Sequence, residues 1–155
     1  MSVSILNNQT TNSEFLKFAV DEIHNVVIST VSNKKLPSAQ VCDLLFTQNG
    51  KLYITTSKNN HPFFDDLDKS TNVLVTGYKG DGTMDSCGFS INAKVRNIHQ
   101  ELLDLAFEKN PYLYEIYQDN IAKAKQALQI FEITPKTAGY LDHRTKPIFY
   151  REFKF

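Results

Sequence analysis

Residues 86–96 read SCGFSINAKVR, and their alternation decides the fold class. Cys87, Phe89, Ile91, Ala93 and Val95 point one way; Ser86, Gly88, Ser90, Asn92, Lys94 and Arg96 point the other. Side chains alternate across a strand, so this is a long antiparallel strand with one buried face. Working outward, Lys79-Gly80-Asp81-Gly82 is a turn, and residues 72–78 form the strand before it. Residues 26–31 are a β-branched run that predicts a buried strand. Residues 38–47 predict one strand and residues 51–57 its return, joined through Asn49-Gly50, a strong hairpin signal between apolar runs. Residues 128–133 and 138–141 predict two further strands, and the tail from Pro147 to Phe155 alternates again.

Helices fill the gaps. Thr11 and Glu14 have the spacing of a capping box, followed by Phe15, Leu16, Ala19 and Ile23 on one face. Residues 62–69 predict a short helix opened by Pro62. Leu102, Leu103, Ala106 and Phe107 mark a helix that Pro111 stops; Pro111 opens another with Leu113, Ile116 and Tyr117, and residues 121–127 form a helical connector. The pattern is a mainly β (α+β) chain, an antiparallel barrel of six to seven strands with peripheral helices. With no linker, repeat or low-complexity tract, residues 1–155 are expected to form one domain.

Seventeen basic and seventeen acidic side chains cancel, which argues against bulk nucleic acid or an anionic membrane as partner. A single-strand nucleic-acid binder on a small barrel could use Tyr53, Tyr78 and Phe89, but the chain has no basic stripe to go with them. No apolar run approaches the roughly 18 residues of a membrane span, and the first residues lack the pattern of a signal peptide. Cys42 and Cys87 form no Cys-x-x-Cys pair and read as free core thiols in a reducing cytoplasm. His24, His61, His99 and His143 lack metal-ligand spacing, and Asp65-Asp66-x-Asp68 lacks the glycine and glutamate of a calcium loop, so no metal site is expected. No Gly-x-Ser-x-Gly or phosphate loop occurs, and no catalytic residue stands out.

Thr55-Thr56-Ser57-Lys58 closes a strand with three hydroxyls and an ammonium. Those donors suit a phosphate, with Lys58 as the point charge. The helix start near Pro62 would add free backbone N–H groups. Ser38, Gln40 and Cys42 form a polar row, every second residue, on the strand read as its hairpin partner. The competing reading is a strand end whose lysine is simply solvated.

The ordered set of VVISTV, a polar loop ending in Pro37, SAQVCDLLF, Asn49-Gly50, KLYITTSK, VLVTGY, GFSINAKVRNI, FEKNPYLYEIY and ALQIFEIT resembles the pyridoxamine 5′-phosphate oxidase-like family of FMN-binding split barrels. The resemblance implies a split barrel and a homodimer with two FMN sites at the subunit interface. It assigns Thr55, Thr56, Ser57 and Lys58 to the phosphate and ribityl chain, and Ser38, Gln40 and Cys42 to the flavin. Two departures matter. Many members carry Arg where Gln40 stands and Lys near Phe63, which leaves Lys58 as the main cation, with Arg96 and Arg144 as the other candidates. The implied function is an FMN-dependent oxidoreductase of unnamed substrate; the alternative is a non-catalytic flavin or cofactor sensor or store on the same fold. Seven Tyr and eleven Phe exceed what one small core obviously needs, which independently favours a dimer.

Overall fold

A computed structural model describes residues 3–155. The first helix starts where the capping signal places it. Thr11 Oγ1 accepts the Glu14 N–H at 3.2 Å, and Glu14 Oε2 accepts the Thr11 N–H at 2.7 Å. This helix, α1 (Asn12–Phe18), runs into a π-helical turn (Ala19–Ile23) and buries Phe15, Leu16 and Phe18. Eight antiparallel strands follow: β1 (Asn25–Val31), β2 (Pro37–Asp43), β3 (Phe46–Gln48), β4 (Lys51–Ser57), β5 (Asn72–Gly82), β6 (Asp85–Asn97), β7 (Leu128–Asp142) and β8 (Phe149–Lys154). Helix α2 (Phe63–Lys69) links β4 to β5. Helices α3 (Leu103–Lys109), α4 (Tyr112–Tyr117) and α5 (Ile121–Ala127) link β6 to β7.

The sheet order is β2-β1-β5-β6-β7-β4-β3, with β8 on the free side of β7. The expected single strand at 38–47 is two strands, because the chain changes partner. β2 pairs with β1 throughout, Pro37 opposite Val31 and Asp43 opposite Asn25. At Leu44 the amide turns to His24 O, and at Leu45 to Tyr53 O. β3 then pairs with β4. The segment 37–48 therefore touches both ends of the sheet and curls it into a split barrel. Asn49 (φ 53) and Gly50 (φ 73) turn the hairpin as Asn-Gly predicts.

Two other expectations shift. The turn read at 79–82 lies inside the hairpin arms; β5 continues to Gly82, β6 starts at Asp85, and a register irregularity between Gly80 and Gly82 absorbs the extra residue. Gly80 (φ 152) is required there, since a Cβ would stand 2.2 Å from Asp85 O. The two strands expected at 128–133 and 138–141 are one, β7. Its register against β6 jumps between Asn92↔Thr137 and Ala93↔Pro135, which makes Lys136 a bulge residue.

The inner face of the barrel holds the larger core, including Ile28, Leu52, Ile54, Val75, Ile91, Phe131, Ile133 and Tyr140. Phe15 and Phe18 of α1 close it, with Phe15 stacked on Phe153 at 4.3 Å. A second core lies outside β3, β4 and the first half of β7. There Tyr53, Leu128 and Ile130 pack under Leu103, Ala106, Phe107 and Leu113 of the helical insertion.

Asp142 at the end of β7 is fully buried. Its carboxylate accepts the Tyr140 hydroxyl at 2.7 Å and Arg144 Nε and NH2 at 2.9 and 2.7 Å. Arg144 also donates to Val3 O and Ser4 O, which ties down the N-terminal segment. Burial alone would raise the Asp142 pKa, but the Arg144 and Tyr140 bonds outweigh it and hold the carboxyl below the usual aspartate range. A carboxyl held lower in the fold than in the unfolded chain contributes stability above about pH 4, and that contribution is lost as pH falls through its folded value. The stability advantage of the wild type over Asp142→Asn, measured by urea unfolding, should therefore be full near neutrality and shrink below about pH 4. An advantage that stays constant down to about pH 3 would contradict this account. Arg144→Ala, which leaves the buried carboxylate unpaired, should cost about 3–5 kcal/mol at neutral pH.

Candidate functional site

The hydroxyl cluster ends β4, but alternation divides it between two faces. Thr56 lies on the inner face with Leu52 and Ile54, opposite Gln129. Thr55 and Ser57 share the outward face of Tyr53, on the side of the helical insertion. Ser38, Gln40 and Cys42 do share one face of β2, opposite Thr30, Ile28 and Val26, and Cys42 reaches the larger core. β2 pairs with β1 and β4 pairs with β7 and β3, so no ladder bonds join the polar row to the hydroxyl cluster.

Within the cluster one hydroxyl donates, two accept, and the backbone amides beside them have acceptors. Thr55 Oγ1 donates to Gln129 O at 2.9 Å. Thr56 Oγ1 accepts from Asn60 Nδ2, and Ser57 Oγ accepts the Asn59 N–H. The amides of Lys58, Asn60 and Phe64 donate to Ala127 O, Ser57 O and Asn60 O. The Lys58 side chain is exposed and has no hydrogen-bond or ion-pair partner among the described residues. Of the other candidate cations, Arg96 NH2 is paired with Glu132 at 2.9 Å and Arg144 with Asp142.

A different feature dominates the outer face of the sheet. The helical insertion covers β4 and the first half of β7, but the outward side chains of β2, β1, β5, β6 and the second half of β7 are bare. Val41 (65 % exposed), Val27, Leu74, Tyr78 (59 %), Leu141 and Tyr150 (58 %) form an apolar face. Within it, Tyr78, Gly88, Leu141 and Tyr150 stand opposite one another on four successive strands, and Thr76, Ser90, Gly139 and Glu152 form the next row. The missing side chain at Gly88 opens a groove of about 480 Å³ between the two tyrosines, and the one at Gly139 makes room for the Tyr150 phenol. His143 lies at its end, with Nδ1 3.4 Å from Ser86 Oγ. Glycine and serine on the outward side of an otherwise regular strand were the sequence signal for this groove. Small residues repeated at 86, 88 and 90 leave room for something else to pack, and the sequence reading took them only as the polar side.

The remaining reactive groups are used structurally. Burial pushes the Cys42 thiol up to about 12, with the Asp43 charge adding to the effect, and burial also raises Cys87; both are buried free thiols. Among the described residues no group of three His, Cys, Asp or Glu is placed to hold a metal ion, and no helix is long and apolar enough to cross a membrane. Tyr112 donates to Asp43 Oδ2 at 2.9 Å and lies 3.3 Å from His24 Nε2, which docks α4 onto the start of β1 and the end of β2.

No family model and no curated protein matches this sequence. Solved structures do match. A NimC/NimA family protein from Clostridium acetobutylicum is similar with a TM-score of 0.64 at 19% identity, covering 90% of this chain and 94% of that one. A protein related to general stress protein 26, of the pyridoxinephosphate oxidase family and from the same organism, gives 0.62 at 13% identity, covering 90% and 91%. HutZ, the heme storage protein from Vibrio cholerae, gives 0.58 at 12% identity, covering 79% and 88%. At these identities the likeness is one of fold, and the fold is shared by oxidase-family and heme-storage proteins alike. The chain has the split-barrel fold of the pyridoxine-phosphate-oxidase-like proteins.

Proposed function

We propose that this chain is a homodimeric split-barrel protein that holds a flavin, FMN in the form the sequence resemblance implies, and serves as an oxidoreductase. The observation that carries the reading is the bare apolar sheet face with its glycine-floored groove. A flat ring system packs against peptide planes where no Cβ intervenes, and Gly88 provides such a floor, while the Tyr150 phenol lies over Gly139. Tyr78 and Tyr150 can flank the ring, Leu141 excludes water beside it, and His143 offers a polar contact at the end of the groove. The groove is within the size range of small-molecule and cofactor sites. A bound flavin would supply hydride and electron transfer, while the chain supplies binding, orientation and dryness.

The same face supplies the partner surface. A stable interface buries about 800 Å² on each partner, about a tenth of this chain's 8829 Å². Two copies meeting on this face would cover Val27, Val41 and Leu74 and enclose the groove, so cofactor binding and dimerisation would strengthen each other.

Storage without turnover is a second reading, favoured by one observation. Among the described residues lining the groove there is no carboxylate and no lysine, and the only thiol, Cys87, is buried with its pKa raised. The heme-storage protein of the same fold makes this class concrete. Oxidation of NADH or NADPH by the purified flavin-loaded protein, with an added acceptor, separates the two: turnover supports the oxidoreductase, and binding without turnover the store.

Two further outcomes are expected. Flavin added to the purified protein should show altered fluorescence on binding, and Ser90→Phe, which fills the groove from its exposed floor, should weaken binding by about tenfold or more, roughly 1.4 kcal/mol, with the fold intact by circular dichroism. Unchanged affinity would remove the groove as the site. Light scattering at micromolar concentration should give about twice the 17.7 kDa chain mass, and Val41→Asp, which places an unpaired charge on the face, should shift it to monomer. A wild-type monomer, or a dimer indifferent to Val41→Asp, would contradict this interface.

A further inference from the structure

We infer that the ring ligand of this protein is recognised without a phosphate group, so that riboflavin and FMN bind alike. The inference rests on the flavin reading and narrows it to the ring. It follows from where the cations and free donors are.

The groove has no cation of its own protomer. No lysine or arginine lines it. The three basic residues next to its lining in sequence are committed elsewhere: Lys79 Nζ donates to Glu22 O at 3.0 Å, Arg144 is held by Asp142, Val3 O and Ser4 O, and Arg151 NH1 donates to Asn7 O at 2.5 Å. The polar groups that do face the groove, Thr76, Ser86, Ser90 and His143, carry no fixed positive charge.

The strand end at residues 55–58 does not supply the lack. A phosphate site there needs convergent hydroxyls and unengaged amides. Instead the hydroxyls alternate between two faces, Thr55 is spent on Gln129 O, and the amides of Lys58, Asn59, Asn60 and Phe64 all have acceptors within the loop or on Ala127. The charge nearby has the wrong sign. Asp65, Asp66 and Asp68 lie on the two turns of α2, against Lys58 and Lys69. Asp68 Oδ1 accepts from Asn97 Nδ2, which also donates to Gln129 Oε1, and Gln129 stands opposite Thr56. Asp68 thus places an exposed carboxylate, not a cation, at the end of the chain of bonds that runs through Asn97 to Gln129. What remains is Lys58, an exposed ammonium whose attraction for an anion is screened by water and salt. Gln40 and Phe63, at positions where the resembling family carries cations, complete the same picture.

The test uses the full-length protein as purified, at low ionic strength, where any electrostatic preference is largest. Lumiflavin, riboflavin and FMN are titrated and followed by flavin fluorescence. Dissociation constants within about threefold of one another are expected, and Lys58→Ala should leave the FMN value unchanged. FMN binding more than about tenfold tighter than riboflavin, or a comparable loss for FMN alone in Lys58→Ala, overturns the inference. A second titration, with inorganic phosphate and followed by amide NMR, does not depend on flavin. No saturable shift is expected at Thr55, Thr56, Ser57, Lys58 or Asn60, and a saturable one overturns the inference. If none of the three flavins binds, the flavin reading falls, and the phosphate titration by itself decides whether an anion site exists.

Discussion

One extra residue in β7 sets the geometry of the whole barrel. Before the bulge, Phe131 and Ile133 face inward; after it, Ala138 and Tyr140 do. Odd positions give way to even ones, so a strand of fifteen residues supplies one core along its full length. Without Lys136 the second half would turn Gly139 and Leu141 inward and expose Tyr140, because a one-residue slip exchanges the faces. The residues at the bulge suit it. Pro135 has no amide to lose from the ladder, and Lys136 O is satisfied by the Phe155 N–H. Three neighbours depend on this strand: β4 on its first half, β8 on its second, and β6 along both.

The two halves of β7 then have different outer surroundings. Ahead of the bulge, Leu128 and Ile130 face outward and are covered by the helical insertion. Beyond it, Gly139 and Leu141 face outward, Gly139 lies beneath the Tyr150 phenol of β8, and Leu141 is 38 % exposed. The bare face is therefore the part of the sheet that the insertion does not reach, and its apolar character was not needed for folding the monomer. Val41, at 65 % exposure, meets within the chain only its cross-strand neighbours such as Val27, so most of its apolar surface stays in water.

Local patterns were legible in the sequence wherever one face is buried and the other wet. The strand at 86–96, the capping box at Thr11 and Glu14, the Asn49-Gly50 turn and the connector at 121–127 all appear where the pattern placed them. Pairing was less legible. Nothing in SAQVCDLLF shows that its first six residues pair with β1 and its end with β4, since either partner satisfies the same alternation. The bulge hid β7 for a related reason: a break in periodicity looks like a loop when the strand on the far side is unknown. The hydroxyl cluster shows a third limit. Composition reveals which hydroxyls exist, but not that Thr55 donates to Gln129 O, that Thr56 accepts from Asn60, or that Ala127 O takes the Lys58 amide.

His24 is where closure, helical insertion and bare face meet. Its backbone is strained, with φ 62 and ψ −60 outside the helical and extended regions, a conformation that costs about 1–3 kcal/mol unless its surroundings hold it. Here they do. The His24 N–H donates to Ala19 O and ends the π-helical turn, and His24 O accepts the Leu44 N–H at the point where the chain leaves β1 for β4. The ring meets Tyr112 and lies 3.6 Å from Asp43, so α4 docks against the same residue. Asn25 follows, donating to Asp43 Oδ1, and the bare face begins with this pair. The strained residue therefore marks the boundary between the part of the sheet covered by its own helices and the part left bare.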